Sequence, residues 1–509
     1  MSRIFEAKAW VGSFSRLRVG RSRLIVWLEL VTLVYIALPV MIWVLGWLAR
    51  PLAAVLALGL VVGLALAWKE TRAYFRLAPV ESDGEPVSLP VWPLVGAAAV
   101  ALIWGAYSGA GGFTYHNLDW LKHFAILKDL ITAPWPVVYA IEGKGMPLVY
   151  YLAYYLPAAS VGSVFGWGWA CFTLLVWTCL GTVIACGWFV ILVGEKPFLA
   201  AVYFIFANGL DFIGERLVTG DPIPSGIGHI DWWAGWTLVN FPGHYSQLVW
   251  APQHSLATWS VTGLLAVQIS AGRSLSHAGL LAALAGFWSP FSVLGMVPLA
   301  LYAVVKKKGR GLLSFANLIA FFLIVINIHF LLAQTTPLPQ GLVMHNVRES
   351  WPRFLIFHVM EWGLFALFAC ELRRSRNPAL RGFFWTALAG LALIPCYRLG
   401  YFNDWCMRVS IPSMFLLWAG VGRSLLRAPF TMESRLLLTM CFFGAMGALY
   451  ESSRSWFSWR SDPPTIEQHD HIPHIGEDFA RQYLGSEDTF FFRHLARSYV
   501  PWELPPRKE

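Results

Sequence analysis

The sequence predicts an all-α protein that crosses a membrane about thirteen times, with amphipathic helices beside the spans. Only 13% of the residues are charged and 57% are hydrophobic, whereas soluble domains carry about 25% charged residues. The 27 tryptophans and 17 tyrosines suit belts of amphipathic rings at the two membrane surfaces. Apolar runs long enough to cross or nearly cross a bilayer recur along the chain. They are residues 24–48, 52–68, 90–109, 168–193, 197–210, 256–271, 277–288, 290–305, 312–333, 352–371, 383–397, 409–422 and 434–450.

Basic loops set the expected topology. The basic N-terminus, Met1 to Arg23, precedes an apolar run that is too long for a signal-peptide core, so we expect the first span to be retained. By the positive-inside rule, this N-terminus and the loop 69–76 lie in the cytoplasm, and the third span then carries the chain outside. The later basic clusters are residues 195–196, 273, 306–310, 373–376 and 423–427.

The run 148–163 decides where those later clusters fall. It contains four tyrosines and a proline, which favours an interfacial or re-entrant helix over a lipid-facing span. If it does not cross, every basic cluster lies in the cytoplasm; if it crosses, all the later clusters lie outside. We therefore expect thirteen spans with a cytoplasmic N-terminus.

This topology divides the chain into two parts. Residues 1–451 form a multi-span domain, and residues 452–509 form a non-cytoplasmic C-terminal tail. The tail is too small and too polar to promise a core of its own, so we expect it to pack on the outer loops. Those outer loops are residues 110–147, 211–255, 334–351 and 398–408.

Composition and motifs exclude several classes of function. The net charge of +9 comes from short loops beside apolar runs, and no nucleic-acid-binding motif accompanies it, so nucleic acid is not an expected partner. The seven cysteines show no CxxC spacing and are interpreted as small buried hydrophobes. The chain has no GxSxG, Walker, GxGxxG or HExxH motif, which leaves ATP-driven transport and serine or zinc hydrolysis unsupported.

The polar stretch 115–130 is the first candidate site. At helical spacing Asp119, Lys122 and His123 fall on one side, with Leu118 and Leu121 among the surrounding apolar residues. This pattern predicts an amphipathic helix that lies along the membrane surface and holds a carboxylate, an ammonium and an imidazole at the lipid boundary. The alternative is a lateral helix that only caps the bundle.

The outer loop 211–255 is the second candidate. It contains Asp211, Asp231 and His254 together with several tryptophans. A sugar site needs such a set, because carboxylates accept hydrogen bonds from hydroxyls while an indole stacks on the apolar sugar face. The alternative is a solvated loop whose tryptophans anchor to lipid headgroups.

The third candidate lies in the loop 398–408. Asp404 and Arg408 are four residues apart at the mouth of a span and either pair with each other or present a guanidinium, from Arg408 or Arg398, that binds a phosphate bidentately. In the tail, the segment 469–474 has three histidines at a spacing that could bind a metal, but a solvated turn is preferred.

Together these features resemble the GT-C superfamily of glycosyltransferases that use polyprenyl-phosphate sugars. The matching residues are Asp119 in a large outer loop, the amphipathic helix 118–131 around it and the following element Pro147-Leu148-Val149-Tyr150-Tyr151. The resemblance covers residues 90–305. The chain differs in having an extra hairpin, 24–68, before this loop, and a tryptophan rather than a second acidic residue after Asp119.

The resemblance implies a fold, a reaction and a location. A sugar would pass from a polyprenyl-phosphate donor to a glycan, lipid or protein acceptor on the outer face of a bacterial inner membrane. Asp119 would act as base and Asp211 or Asp231 would orient the acceptor. Lys122 and His123 would hold the phosphate, with Arg408 as a second clamp.

Two further binding residues, a possible metal and two alternative functions are also expected from the sequence. His254 and Asp404 join the residues expected to bind donor or acceptor, and a divalent metal, Mg²⁺ or Mn²⁺, would need two or more of these carboxylates to converge. A transporter or flippase would place ionisable residues in mid-span, where the chain offers Glu361 and His358. An O-antigen ligase or polymerase would use outer arginines and histidines such as Arg398, Arg408 and His254.

Overall fold

The computed structural model describes residues 17–77, 88–220, 230–369, 373, 375, 377–427 and 431–505. Most of the basic N-terminus and part of the basic cluster 373–376 lie outside these residues. The described chain is mostly helical. Its helices are α1 Arg21–Trp47, α2 Arg50–Leu77, α3 Val91–Ala106, α4 Asp119–Thr132, α5 Leu156–Phe165, α6 Trp167–Val193, α7 Pro197–Phe206, α8 Asp211–Thr219, α9 His244–Trp250, α10 Pro252–Ser270, α11 Ala278–Trp288, α12 Pro290–Lys307, α13 Phe315–Leu331, α14 Trp351–His358, α15 Leu364–Phe368, α16 Pro378–Leu393, α17 Asp404–Val409, α18 Ile411–Arg427, α19 Met432–Trp456 and α20 Glu477–Arg481.

The described chain also contains three small antiparallel strand pairs. Two of them join loops that are distant in sequence, and the third is a hairpin. The strands are β1 Arg18–Gly20, β2 Ser88–Pro90, β3 Val138–Ile141, β4 Lys144–Pro147, β5 Gln340–Leu342 and β6 Tyr397–Leu399. They pair as β1 with β2, β3 with β4 and β5 with β6. A π-helical turn, Val359–Gly363, joins α14 to α15.

The apolar runs of the sequence correspond to the helices. Each of the thirteen predicted runs is mostly helical, which confirms an all-α architecture of apolar helices. Seven helical segments in the described chain are long and apolar enough to cross a membrane, while the count of thirteen spans stays a prediction. The seven are Arg21–Trp47, Arg50–Tyr74, Trp167–Val193, Pro197–Thr219, Pro290–Lys307, Pro378–Cys396 and Met432–Trp456.

The basic loops meet at one end of the bundle, which we call the basic end. The Arg427 guanidinium lies 3.6 Å from the Glu195 carboxylate, and the Leu275 amide donates to the Arg310 carbonyl over 3.0 Å. Strand β1 pairs with β2, so both ends of the first hairpin also meet there. The Arg21 guanidinium also donates to the Ile191 carbonyl over 2.9 Å, and Ser274 Oγ donates to the Glu70 carboxylate over 2.7 Å. These contacts place the basic loops on one side of the bundle.

The loops predicted outside and the tail meet at the opposite end, which we call the tail end. Strand β5 pairs with β6, and the Tyr115 amide donates to Ser458 Oγ over 2.8 Å. The tail also contacts the end of α1, since the Ala49 amide donates to the Leu495 carbonyl over 2.9 Å. The tail packs on these loops rather than forming a separate unit.

The run 148–163 contains one helix, α5, which is too short to cross a membrane by itself. Helix α5 has 10 residues and is about 15 Å long, roughly half of the 30 Å hydrocarbon core. It packs antiparallel to the start of α6: Tyr154 and Thr178 hydroxyls lie 2.7 Å apart, and Gly162 faces Ala170 so closely that a Cβ at Gly162 would lie 2.7 Å from the Ala170 methyl.

The cysteines agree only in part with their interpretation as buried hydrophobes. Cys171, Cys186 and Cys406 are buried, Cys179 and Cys441 are half-buried, and Cys396 is exposed. Cys370 lies outside the described residues. Because Cys396 ends the last turn before strand β6, its side chain reaches the surface.

Candidate functional site

Helix α4 forms where the sequence predicts it and is fixed at its first turn. Asn117 Oδ1 accepts a hydrogen bond from the Asp119 amide over 3.0 Å. The Asn117 side-chain amide and the Trp120 indole both donate to the Val249 carbonyl, over 2.9 and 3.0 Å. The start of α4 is thereby held against the end of α9, so the side chains of its first turn have a defined direction.

Asp119 and Lys122 form an ion pair in that first turn. Lys122 Nζ lies 2.7 Å from Asp119 Oδ2, and the two side chains are 13% and 26% exposed. Burial alone would raise the pKa of Asp119, but the Lys122 ammonium outweighs it, with His123 and Arg408 adding to the effect, and the pKa falls below its ordinary value. Asp119 is therefore an ionised carboxylate at neutral pH, with part of its surface accessible.

Arg408 and Asp404 face the same pair from helix α17. Asn403 caps this helix in a left-handed conformation, accepting from the Cys406 amide and donating to the Leu238 carbonyl. The Arg408 and Asp404 side chains are 8% and 41% exposed, and their closest approach is a long 3.9 Å between Arg408 Nε and Asp404 Oδ1.

The four charges act on one another. Arg408 and Lys122 both lower the pKa of Asp404, although its burial among protein groups is the largest effect and raises that pKa overall. The Asp404 side chain is nevertheless 41% exposed, so water can reach its carboxylate. Asp119, Lys122, Asp404 and Arg408 thus form one group, which we call the charged cluster.

Tyrosines from two segments lie beside the charged cluster. Tyr150 and Tyr151 follow strand β4 with ring centroids 3.9 Å apart, and Tyr483 of the tail packs edge-on against Tyr150 at 5.1 Å. The Gln253 amide at the start of α10 donates to the Tyr150 hydroxyl over 3.3 Å. His254 packs against Tyr151 at 4.9 Å, so four of the expected residues and His254 lie in one neighbourhood.

His123 has a different position from the one expected for a phosphate ligand. It is fully buried, with Nδ1 2.5 Å from the Tyr155 hydroxyl and Nε2 3.2 Å from the Trp250 carbonyl. Burial, aided by Lys122, lowers its pKa to about 3, so the imidazole is neutral at pH 7. Because both ring nitrogens are engaged, His123 positions α4 and offers no nitrogen to a ligand.

Asp211 and Asp231 belong to a second polar cluster. The Trp233 indole lies 3.1 Å from both Asp211 Oδ1 and Glu361 Oε1, and Asp231 accepts from the Asn208 side chain and the Gly243 amide. The Asp211 and Asp231 side chains have no solvent access. The sequence predicts that these two carboxylates orient an acceptor. Neither carboxylate has an oxygen that an acceptor could reach.

Apolar side chains are exposed directly beside the charged cluster. Leu118 and Leu121 flank Asp119 and Lys122 in sequence and are 57% and 63% exposed. Tyr401 and Phe402, just before Asp404, are more than half exposed. The charged cluster therefore lies at a boundary where an apolar chain can approach it from the side.

Carboxylates around the charged cluster do not converge on a metal position. Asp119 and Asp404 face Lys122 and Arg408, and within the described ranges no group of three or more His, Cys, Asp or Glu residues is arranged to hold a metal ion.

Sequence reasoning missed several residues of the site. Tyr483 had no signal, since a lone tyrosine in a tail is common, and nothing singled out Tyr155 among the four tyrosines of 148–163. His471 was interpreted as part of a solvated turn, which is wrong: it is buried, with Nδ1 2.5 Å from Asp129 Oδ1. The reason is that the tail packs directly on α4, where Asp129 also accepts from the Tyr139 hydroxyl over 2.6 Å.

Comparison with protein-family models, with curated proteins and with solved structures gives no match for this chain.

Proposed function

We propose that the protein is a membrane glycosyltransferase that moves a sugar from a lipid-phosphate donor to an acceptor hydroxyl at the tail end. The observation that carries this proposal is that the Arg408 guanidinium is buried without a close acceptor. Its side chain is 8% exposed, and its one ionic contact among the described residues is the 3.9 Å approach to Asp404. A buried guanidinium without a close acceptor is costly, and a phosphate, which it can bind through two parallel hydrogen bonds, would satisfy it.

Asp119 supplies the second half of the chemistry. The acceptor hydroxyl gives its proton to the Asp119 carboxylate while its oxygen forms a bond to the anomeric carbon of the donor sugar. The bond between that carbon and the phosphate oxygen breaks, and its electron pair stays with the lipid phosphate. The low pKa of Asp119 keeps the carboxylate ionised before the reaction and favours release of the proton afterwards.

Lys122 and Arg408 stabilise the leaving group. The charge that develops on the lipid phosphate needs fixed cations in a site with little water. Lys122 has three donors on its ammonium, so it can contact a phosphate while it stays 2.7 Å from Asp119. Asp404, more exposed than Asp119, takes the acceptor-orienting role in place of Asp211 and Asp231.

The surroundings are suited to a lipid carrier and a sugar. Exposed Leu118 and Leu121 offer an apolar surface beside the charges for an isoprenoid chain. Tyr150, Tyr151 and Tyr483 offer ring faces and hydroxyls for a sugar. The likeness to the GT-C superfamily supports the same reading, because Tyr150 and Tyr151 of the Pro-Leu-Val-Tyr-Tyr element line the charged cluster.

A panel assay tests this proposal. Purified protein is incubated with radiolabelled polyprenyl-phosphate hexoses and pentoses and with membrane extract as acceptor source. We expect one donor to give a covalent product with free polyprenyl phosphate in equal amount. Protein reconstituted in vesicles is measured in parallel: movement of the intact donor across the membrane without any covalent product would reject the glycosyltransferase and favour a transporter.

A further inference from the structure

A cavity in the described part of the chain lies away from the charged cluster. Its volume is about 610 Å³ and it opens to the surface, within the range of about 300–1,000 Å³ that small-molecule sites show. It is bounded by Gly46 at the end of α1, the segment 130–135 at the end of α4, Ser163 on α5 and the tail residues 497–500.

The walls of this cavity are well fixed. The Arg497 amide donates to the Trp47 carbonyl over 2.8 Å, which ties the tail to the end of α1. The Trp135 indole donates to the Leu130 carbonyl over 2.8 Å, and its ring packs 5.2 Å from Trp47. Because these contacts are made by backbone groups and by two packed indole rings, the cavity is built into the fold.

Its surface is apolar with one cation. Leu130, Ile131, Trp135 and Val500 supply apolar lining. The exposed Arg497 side chain makes no hydrogen bond or ion pair with any residue in the part of the chain that the structure describes. A guanidinium beside an apolar chamber complements a ligand that has both a phosphate and hydrocarbon.

The cavity opens where helices face lipid. Leu45, next to Gly46, is 52% exposed, and Val164 and Phe165, next to Ser163, are 72% and 67% exposed. Trp135 and Tyr499 on its wall are residue types that settle at headgroup level. A ligand from the surrounding bilayer can therefore enter sideways with its phosphate at the level of Arg497.

We propose that this cavity binds an anionic glycerophospholipid of the surrounding membrane, with its phosphate on Arg497 and an acyl chain against Leu130, Ile131 and Val500. Leu130 lies about 16 Å along α4 from Asp119, so this lipid is separate from any donor at the charged cluster. It joins the tail, α1 and α4 across their common boundary.

The test uses the full-length protein, purified in detergent and delipidated, with native mass spectrometry. The probes are phosphatidylglycerol, diacylglycerol with the same chains, and inorganic phosphate. We expect the wild type to retain phosphatidylglycerol preferentially over both other probes. Arg497→Ala should weaken phosphatidylglycerol binding about fivefold, the size expected for one basic residue at a membrane surface.

Two further variants distinguish the contribution of the Arg497 charge from that of the cavity volume. Arg493→Ala is the matched control, because Arg493 is an exposed tail arginine already paired with Asp488 at 2.8 Å, and it should bind as the wild type does. Ser163→Trp fills the chamber and should weaken phosphatidylglycerol and diacylglycerol together. Unchanged binding in Arg497→Ala, equal binding of inorganic phosphate alone, or a dimer that Arg497→Ala dissociates would each overturn the proposal.

Discussion

Replacing Arg408 by methionine is the most informative change in the charged cluster. The substitution keeps the length of the side chain but removes the guanidinium, so a donor phosphate loses its buried cation. At about 4 Å and an effective dielectric constant of about 20, a unit charge pair is worth roughly 4 kcal/mol. Removing one group that stabilises developing charge costs about 2.7–4 kcal/mol in enzymes, or 10²–10³ in kcat. We expect kcat/KM for the donor to fall by about 10²–10³.

The stability of this variant should change much less than its activity. The partner left behind, Asp404, is 41% exposed, so water can solvate its carboxylate when the guanidinium is gone. Arg408→Lys keeps the charge but loses the planar fork that binds phosphate through two hydrogen bonds, and it should give an intermediate rate. Arg398→Met is the matched control: Arg398 lies in the same loop and donates to the Tyr401 carbonyl.

The assay measures sugar transfer and thermal unfolding on the same preparations. Transfer by Arg408→Met within threefold of the wild type, in protein that unfolds at the wild-type temperature, would refute the role of Arg408. An equal loss in Arg398→Met would show that the loop as a whole, rather than the buried cation, matters.

Three further predictions concern stability. Buried His123 has a pKa of about 3, against about 6.5 in the unfolded chain. The unfolded state therefore binds the proton first as the pH falls. Between pH 7 and pH 5 the free energy of unfolding of the wild type should fall by about 2 kcal/mol relative to His123→Gln, measured by denaturant titration. At the basic end, Arg273→Met removes the guanidinium that lies 2.7 Å from the carboxylate of fully buried Glu29. Thermal unfolding in detergent should show a loss of stability of about 3–5 kcal/mol. The double variant Arg273→Met, Glu29→Met should recover most of that loss. Asp129→Asn weakens the contact with His471, and the tail should become sensitive to limited proteolysis while the bundle stays intact; a tail as resistant as in the wild type would contradict this contact's importance.

Local features of the site could be predicted from the sequence. The helix around Asp119 was visible because its polar and apolar residues alternate at helical spacing. The four-residue spacing of Asp404 and Arg408 likewise placed these two side chains together. Both patterns are readable from the sequence because they extend over only one to a few helical turns. The four tyrosines and the proline of 148–163 likewise indicated an interfacial or re-entrant helix rather than a span, and the helix found there has only 10 residues.

Long-range partners could not be predicted. Asp119 and Arg408 are far apart in the chain, and no pattern within one sequence reports that their charges act on each other. The role assigned to Asp211 and Asp231 rested on the number of carboxylates in a loop, which says nothing about the direction of each side chain; Trp233 and Gly243 hold them in the interior. His471 was misjudged because polar tail residues are usually solvated, whereas here Asp129 provides a buried partner.

The central claim is that Asp119 is the base of a transfer reaction at the charged cluster, and Asp119→Asn tests it most directly. Polyprenyl-phosphate binding and sugar transfer are measured on the same protein, with Asp488→Asn, an exposed tail carboxylate, as the control. We expect the lipid phosphate to bind at least as tightly as in the wild type, because a negative charge has been removed, while transfer falls by about 10²–10⁴, the usual contribution of a general base. Transfer at the wild-type rate in Asp119→Asn would contradict the account.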